Sequence, residues 1–246
     1  MNDISRDYGR LPGRLETPAV RRLTQVAEQL GDSLRRRVVF IGASLLPLME
    51  TEDHVLSGSR ATDDVDAVTA TTSYGDKFDL EEALRAQGFR NAMGERAHVD
   101  RWRAPNGVIF DCVSCGSHLG GTGSADDLWV IDHAVETDLP PPVRHASAVG
   151  LLLLKSAAYQ DRGVSSPITS KDLSDIAAMI AARPQLVSEV AATSQNVRET
   201  LAVRCRVLLE SPRVVSAIRS HISSRQPLFE GVDDLILERM RQITST

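Results

Sequence analysis

Apolar positions first fall into a helical rhythm at Val20, Leu23, Val26, Ala27 and Leu30. The i, i+3, i+4 spacing predicts an amphipathic helix. Thr17-Pro18 stands before it as an N-cap and a proline in the first turn, and Gly31 is the expected stop. The residues up to Glu16 read as a polar lead-in. After Arg35-Arg36-Arg37 the continuous apolar run Val38–Ile41 predicts a short buried strand, which Gly42 interrupts. A helix is expected to open within Ala43–Met49, where Pro47 fits only near the first turn.

The stretch from Glu50 to Ser59 is polar and turn-rich, and Val65–Thr71 predicts a second strand with acidic residues at its start. Asp79–Gln87 has helical spacing and is followed by Gly88. His98–Arg103 and Gly107–Val113 read as strands flanking the turn Ala104-Pro105-Asn106-Gly107. Gly116–Asp127 reads as a loop rich in glycine and serine, and Pro140-Pro141-Pro142 as a stiff break. Beyond it the pattern becomes helical. Ala146–Asp161 is apolar on most faces and is expected at the centre of a helical region. Ser170–Ala182, Gln185–Ala192, Asn196–Glu210, Pro212–Ser223 and Val232–Ile243 follow it. The expected division is therefore 1–142, with strands and helices, and 143–246, with helices alone.

Bulk numbers narrow the function classes only a little. The chain has 246 residues, 42% hydrophobic and 25% charged, an ordinary globular composition. The formal net charge of −5 argues against a globally basic nucleic-acid binder. No apolar run has the length of a membrane span, and the N-terminus carries no signal-peptide core, so a cytoplasmic protein is expected. Of the three cysteines, Cys112 and Cys115 form an isolated C-x-x-C with no further ligands at zinc spacing. Reduced cysteines on or just after a strand are the expectation.

The candidate chemistry lies in Arg60-Ala61-Thr62-Asp63-Asp64-Val65-Asp66. Asp64 and Asp66 are two residues apart in an apolar run, so a strand directs both carboxylates to one face. Like charges so placed disfavour each other's ionised form, and a divalent cation removes that penalty. The competing reading is a solvated acidic turn. Asp111 is the lone acid in Val108–Val113, where a buried carboxylate needs a counter-charge or a metal. On a neighbouring strand it would complete a three-carboxylate site for Mg²⁺ or Mn²⁺; on an exposed sheet face it would simply point to solvent. Gly42-Ala43-Ser44, between a strand and a helix, offers backbone amides to a phosphate or serves as an ordinary turn. Lys155 follows Leu151–Leu154 and either reaches a triphosphate, with Arg162 assisting, or snorkels to solvent. Asp172 and Asp175 suit the first turn of a helix electrostatically. Arg60 and Thr62 either order the loop before the acidic pair or touch nucleotide.

Gly42-Ala43-Ser44 followed by Arg60-x-Thr62-x-Asp64-Val65-Asp66 resembles the signature of the DNA polymerase β-like nucleotidyltransferases. With Leu152-Leu153-Leu154-Lys155, Arg162 and Lys171-Asp172-Leu173-Ser174-Asp175, the order of motifs resembles the AbiEii/MenT group in particular. The chain departs from the family pattern at Ala43, where a second glycine or a serine is usual, and at Pro47 in the helix after it.

The resemblance implies an α+β fold, a nucleotidyltransferase-like mixed sheet with helices followed by a C-terminal helical region that completes the cleft. It also implies an NTP-dependent enzyme acting on an RNA 3′ end, with tRNA as the expected acceptor. Members serve as toxins of toxin–antitoxin or phage-defence systems, so a cognate antitoxin is an expected partner. The implied metal ligands are Asp64, Asp66 and Asp111, and Lys155 and Asp172 join them as catalytic candidates. Gly42, Ser44, Arg60, Thr62, Lys155 and Arg162 are the implied nucleotide contacts. Arg35–Arg37 with Arg198, Arg204 and Arg206 would supply a basic stripe for RNA. Transfer to a small molecule or a protein, and a silent NTP-binding module, are the alternatives.

Overall fold

The computed structural model describes residues 12–52, 62–92, 99–116, 119, 124–137, 139–225, 227 and 230–246. Arg60 lies outside the described residues, as do most of the 50–59 stretch and the start of the strand expected from His98. The chain divides into two compact units, Met1–Leu48 with Ala61–Gly150 and Met49–Arg60 with Leu151–Thr246.

The first unit is built on a mixed sheet of order β3-β4-β5-β2-β1-β7-β6. Its strands are β1 (Val38–Ile41), β2 (Asp64–Thr69), β3 (Arg90–Asn91), β4 (Arg101–Arg103), β5 (Ile109–Ser114), β6 (Val135–Thr137) and β7 (Val143–His145). β2 lies between β1, antiparallel to it, and β5, parallel to it. Parallel neighbours need a crossover connection, and α4 (Tyr74–Ala86) supplies the helical part of it. The Ala104–Gly107 turn closes the expected hairpin: Gly107 N donates to Ala104 O at 2.8 Å, and β4 pairs antiparallel with β5. Pro140-Pro141-Pro142 lies between β6 and β7, which pair with each other.

One sheet face is apolar. Val65 and Phe110 are register partners, as are Phe40 and Ala67, and all four are buried. The Phe110 ring packs 6.4 Å from Phe40 and 5.7 Å from Phe89. Short helices α1 (Pro12–Leu15) and α3 (Leu46–Met49) accompany the long α2 (Pro18–Arg35). Thr17 caps α2, and its buried stripe includes Val20, Leu23, Val26, Ala27 and Leu30. Gly31 kinks this helix at φ 65° without ending it. The expected helix at Asp79 begins earlier, at Tyr74, because Ser73 Oγ accepts from Asp76 N at 3.1 Å. Likewise Ser124 Oγ accepts from Asp126 N and starts α5 (Ala125–Asp132) inside the stretch expected to be loop.

α6 (Ala148–Ala158) contains the division between the units and ends in a wide turn over Tyr159–Gly163. The second unit also contains α7 (Lys171–Ala182), α8 (Leu186–Ala191), α9 (Gln195–Glu210), α10 (Pro212–Ser224) and α11 (Val232–Ile243). α7 is its most enclosed helix, with every residue from Asp172 to Ala182 buried. Ala177, Ala178, Ala181 and Ala182 have side chains short enough for neighbours to approach on all sides, and α10 and α11 both pack on α7. Its last carbonyls are satisfied from outside. Arg239 Nη1 donates to Ile180 O and Ala181 O at 2.8 and 2.7 Å, and Thr51 N donates to Ala182 O at 2.9 Å. No described helix is long and apolar enough to cross a membrane.

Candidate metal centre

The side chains that gather chemistry in the first unit come from β2 and β5. Asp66 on β2 stands opposite Asp111 on β5, and Asp64 lies opposite Ile109 on the same face. Each of Asp64, Asp66 and Asp111 offers a carboxylate oxygen, and these oxygens lie within 4.8 Å of one another. Asp111 is 5% exposed, while the other two are half-buried. This face therefore holds the expected three acids, brought together by the parallel register.

Several local features shape the cluster. Thr62 Oγ1 donates to Asp64 Oδ1 at 2.7 Å. Arg22 of α2 holds the segment before it, with Nη1 2.7 Å from Thr62 O and Nη2 3.2 Å from Asp63 Oδ1. Thr62 thus orders the acidic pair through Asp64. Gly42 follows β1 at φ 83°, and a Cβ there would lie 2.0 Å from Asp66 Oδ2. The glycine makes room for the carboxylate of Asp66. Ser44 follows in a tight turn over Ala43–Leu45; it is 0% exposed, and its Oγ has no hydrogen-bond partner among the described residues.

Arg101 was not anticipated. On β4 it stands opposite Asp111, and its guanidinium grips both carboxylate oxygens, Nε to Oδ1 at 2.8 Å and Nη2 to Oδ2 at 2.6 Å. Nη2 also lies 3.7 Å from Asp64 Oδ2. The hydrogen bonds to Asp111 raise the arginine pKa most; desolvation opposes them, and the charges of Asp111, Asp64 and Asp66 add to the rise. The sequence did contain a signal. It was only partial: a turn at Ala104–Gly107 brings Arg101 near Asp111, but the count alone would pair Arg103 with Val108, and the observed register of Arg103 with Ile109 is what sets Arg101 opposite Asp111.

The donor set fits a hard divalent cation. Three carboxylates supply oxygen ligands of the kind Mg²⁺ and Mn²⁺ prefer, and Gly42 leaves Asp66 the space to present its own.

Lys155, Arg162, Asp172 and Asp175 form a second cluster, within the helical unit. Lys155 Nζ is 2.8 Å from Asp175 Oδ2 and 3.2 Å from Asp172 Oδ1. Arg162 Nε donates to Asp172 Oδ2 at 2.8 Å from an exposed position. Arg225, which the sequence did not single out, donates from Nη2 to Ser174 Oγ at 3.1 Å and lies 3.5 Å from Asp175 Oδ1. Burial lowers the Lys155 pKa, but Asp175 and Asp172 outweigh it and hold the ammonium raised. Within this cluster Lys155 does not snorkel to solvent; it is the counter-ion of two buried acids.

The cysteines are buried thiols, and burial pushes Cys112 up to about 12 and Cys115 up to about 11. The arginines expected to form a basic stripe are partly engaged. Arg204 Nη1 donates to Leu153 O at 3.0 Å, Arg198 Nη1 to Thr193 O at 2.6 Å and Arg35 Nη1 to Ala27 O at 3.3 Å.

No protein-family model matches the chain, and no curated protein matches it.

Proposed function

We propose that this chain is a divalent-cation-dependent nucleotidyltransferase of the DNA polymerase β-like superfamily, close to its AbiEii/MenT group. It transfers NMP from an NTP to the 3′ hydroxyl of an RNA, with tRNA as the acceptor, breaking the α–β phosphoanhydride bond and releasing pyrophosphate. The observation that carries this reading is the placement of Asp66 opposite Asp111 on adjacent parallel strands, with Asp64 on the same face. In this reading the chain works in the cytoplasm as the toxin of a toxin–antitoxin or phage-defence pair, held in check by a cognate antitoxin.

Bound Mg²⁺ or Mn²⁺ supplies charge neutralisation on the phosphates and a more acidic acceptor hydroxyl. The chain's residues divide the remaining work. Asp64 and Asp66 hold the cation, with Thr62 fixing the rotamer of Asp64. Asp111 would complete the cation site and is the carboxylate assigned to take the proton of the acceptor hydroxyl. The Gly42–Ser44 turn presents its backbone and the Ser44 hydroxyl to a phosphate. Lys155 and Arg162 are assigned to the triphosphate by the motif alone; within their own unit both pair with Asp172. Arg60 lies outside the described residues and is assigned to nucleotide by the motif alone.

Incubating the protein with each labelled NTP, Mg²⁺ and total RNA tests the reading, beside an Asp66→Ala variant. Label in tRNA made by the intact protein alone is the expected result. A specific observation favours a second reading, transfer to a small molecule or protein. The net charge is −5, and Arg198 and Arg204 direct donors at backbone carbonyls of their own unit. Label outside RNA would support it. NTP binding without incorporation would leave the silent NTP-binding module, and absence of both incorporation and NTP binding would refute both transferase readings.

A further inference from the structure

Arg101 reaches Asp111 with a two-pronged grip, at 2.8 and 2.6 Å, and leans to within 3.7 Å of Asp64. This geometry differs from a surface ion pair. Asp111 is 5% exposed, and the two residues are held opposite each other by the β4–β5 ladder. A guanidinium stays charged at every pH at which the protein folds. The three carboxylates therefore meet any incoming cation together with a fixed positive charge already among them. Both oxygens of Asp111 spend one acceptor direction on Arg101, whereas among the described residues no guanidinium fork grips Asp64.

We propose that Arg101 is a built-in counter-cation that weakens and grades divalent-cation binding at the carboxylate cluster. Asp64 and Asp66 form the stronger half, and Asp111 joins fully only when the guanidinium yields an oxygen. Arg101 thereby acts as a positioning residue that makes full occupancy depend on added negative charge, such as the triphosphate of an incoming nucleotide. The inference rests on the metal reading of the three acids.

Mn²⁺ binding, measured by electron paramagnetic resonance on the full chain without nucleotide, tests it directly. Arg101→Gln and Arg101→Met remove the charge, and Arg101→Lys keeps the charge without the fork. One unit charge at ~6 Å from a dication changes its affinity about tenfold even at the dielectric of water. The expected result is Mn²⁺ binding about tenfold tighter in the Gln and Met variants, with the Lys variant near the intact protein. Adding a nonhydrolysable NTP should narrow the gap. Equal or weaker binding by folded Gln and Met variants overturns the inference and leaves the metal site standing. Failure of both neutral variants to fold also overturns it, since the pair would then be structural. If the intact protein binds no Mn²⁺ and an Asp66→Asn variant behaves alike, the metal reading itself falls.

Discussion

Gly42 and Asp66 are in contact across the β1–β2 edge: a Cβ on the glycine would lie 2.0 Å from Asp66 Oδ2 and 2.8 Å from its Cγ. The same glycine has φ 83°, where a side chain costs roughly 1–2 kcal/mol. Gly42→Ala is therefore expected to turn the carboxylate of Asp66 aside. The proposed nucleotidyl transfer should fall by about 100-fold, the scale of a misplaced reacting group, with a stability loss of at least about 1–2 kcal/mol. Retention of both Mn²⁺ affinity and activity would rule out the contact as the reason for glycine.

Asp66→Asn separates chemistry from stability. It removes one of the like charges gathered within 4.8 Å. Transfer activity should drop about 100-fold or more. The urea midpoint should hold or rise, because mutual repulsion is relieved. A midpoint that falls sharply would mean that Asp66 serves the fold.

In the helical unit, Lys155→Met leaves Asp175, 0% exposed, and Asp172, 5% exposed, short of a cation. Removing one partner of a buried ionic cluster costs about 3–5 kcal/mol. Urea unfolding should register a loss of that order, and circular dichroism should show the helices melting earlier. A loss below about 1 kcal/mol would show that Arg162 and Arg225 compensate alone.

Alkaline pH should destabilise the fold in a defined order. Cys112 rises from 9.0 to about 12 on burial, so above pH 9 the unfolded chain gives up its thiol proton first and stability falls as pH rises toward 12. Lys155 is raised above 10.5, so its ionic contribution is intact below that value and is lost as pH climbs through the folded pKa. Thermal midpoints should be flat from pH 7 to about 9 and decline above it.

Thiol labelling gives an independent check. Cys112, Cys115 and Cys205 are 3%, 4% and 2% exposed. At pH 8 a disulfide reagent should leave all three unmodified in the native protein, and their reaction should follow the urea transition. Rapid native labelling of any one would locate a local opening.

Much of the fold could be read from the sequence, and the exceptions share a cause. α2, α7 and α9 to α11 show several turns of apolar residues at helical spacing, and Thr17, Ser170 and Ser211 cap α2, α7 and α10. β3, β6 and β7 are two or three residues long, too short for alternation to register. The Ala146–Asp161 segment drew attention by its leucines, yet the alanine-rich α7 is the more enclosed helix. Composition reports apolarity, whereas close approach depends on side-chain size. Asp64 and Asp66 stood out as like charges in an apolar run, and Asp111 as a lone acid in one. Their proximity depended on β2 and β5 pairing in parallel across the α4 crossover, which no local pattern encodes. Arg101 stayed hidden because Arg101-Trp102-Arg103 is a short strand whose register against β5 is set only in the fold, and its tryptophan, 2% exposed, is the residue that catches attention.

The interior position of β2, hydrogen-bonded to β1 on one side and β5 on the other, has a consequence for slow motions. Amides of interior strands exchange with solvent only in the deepest openings, whereas loops and termini exchange through local fraying. Asp64, Asp66 and Asp111 therefore ride on the most persistent backbone of their unit. Warming or dilute denaturant should loosen the surrounding segments well before the spacing of the three carboxylates changes. Deuterium uptake along β2 and β5 should lag behind that of the edge strands β3 and β6, so the charge constellation endures until the sheet itself comes apart.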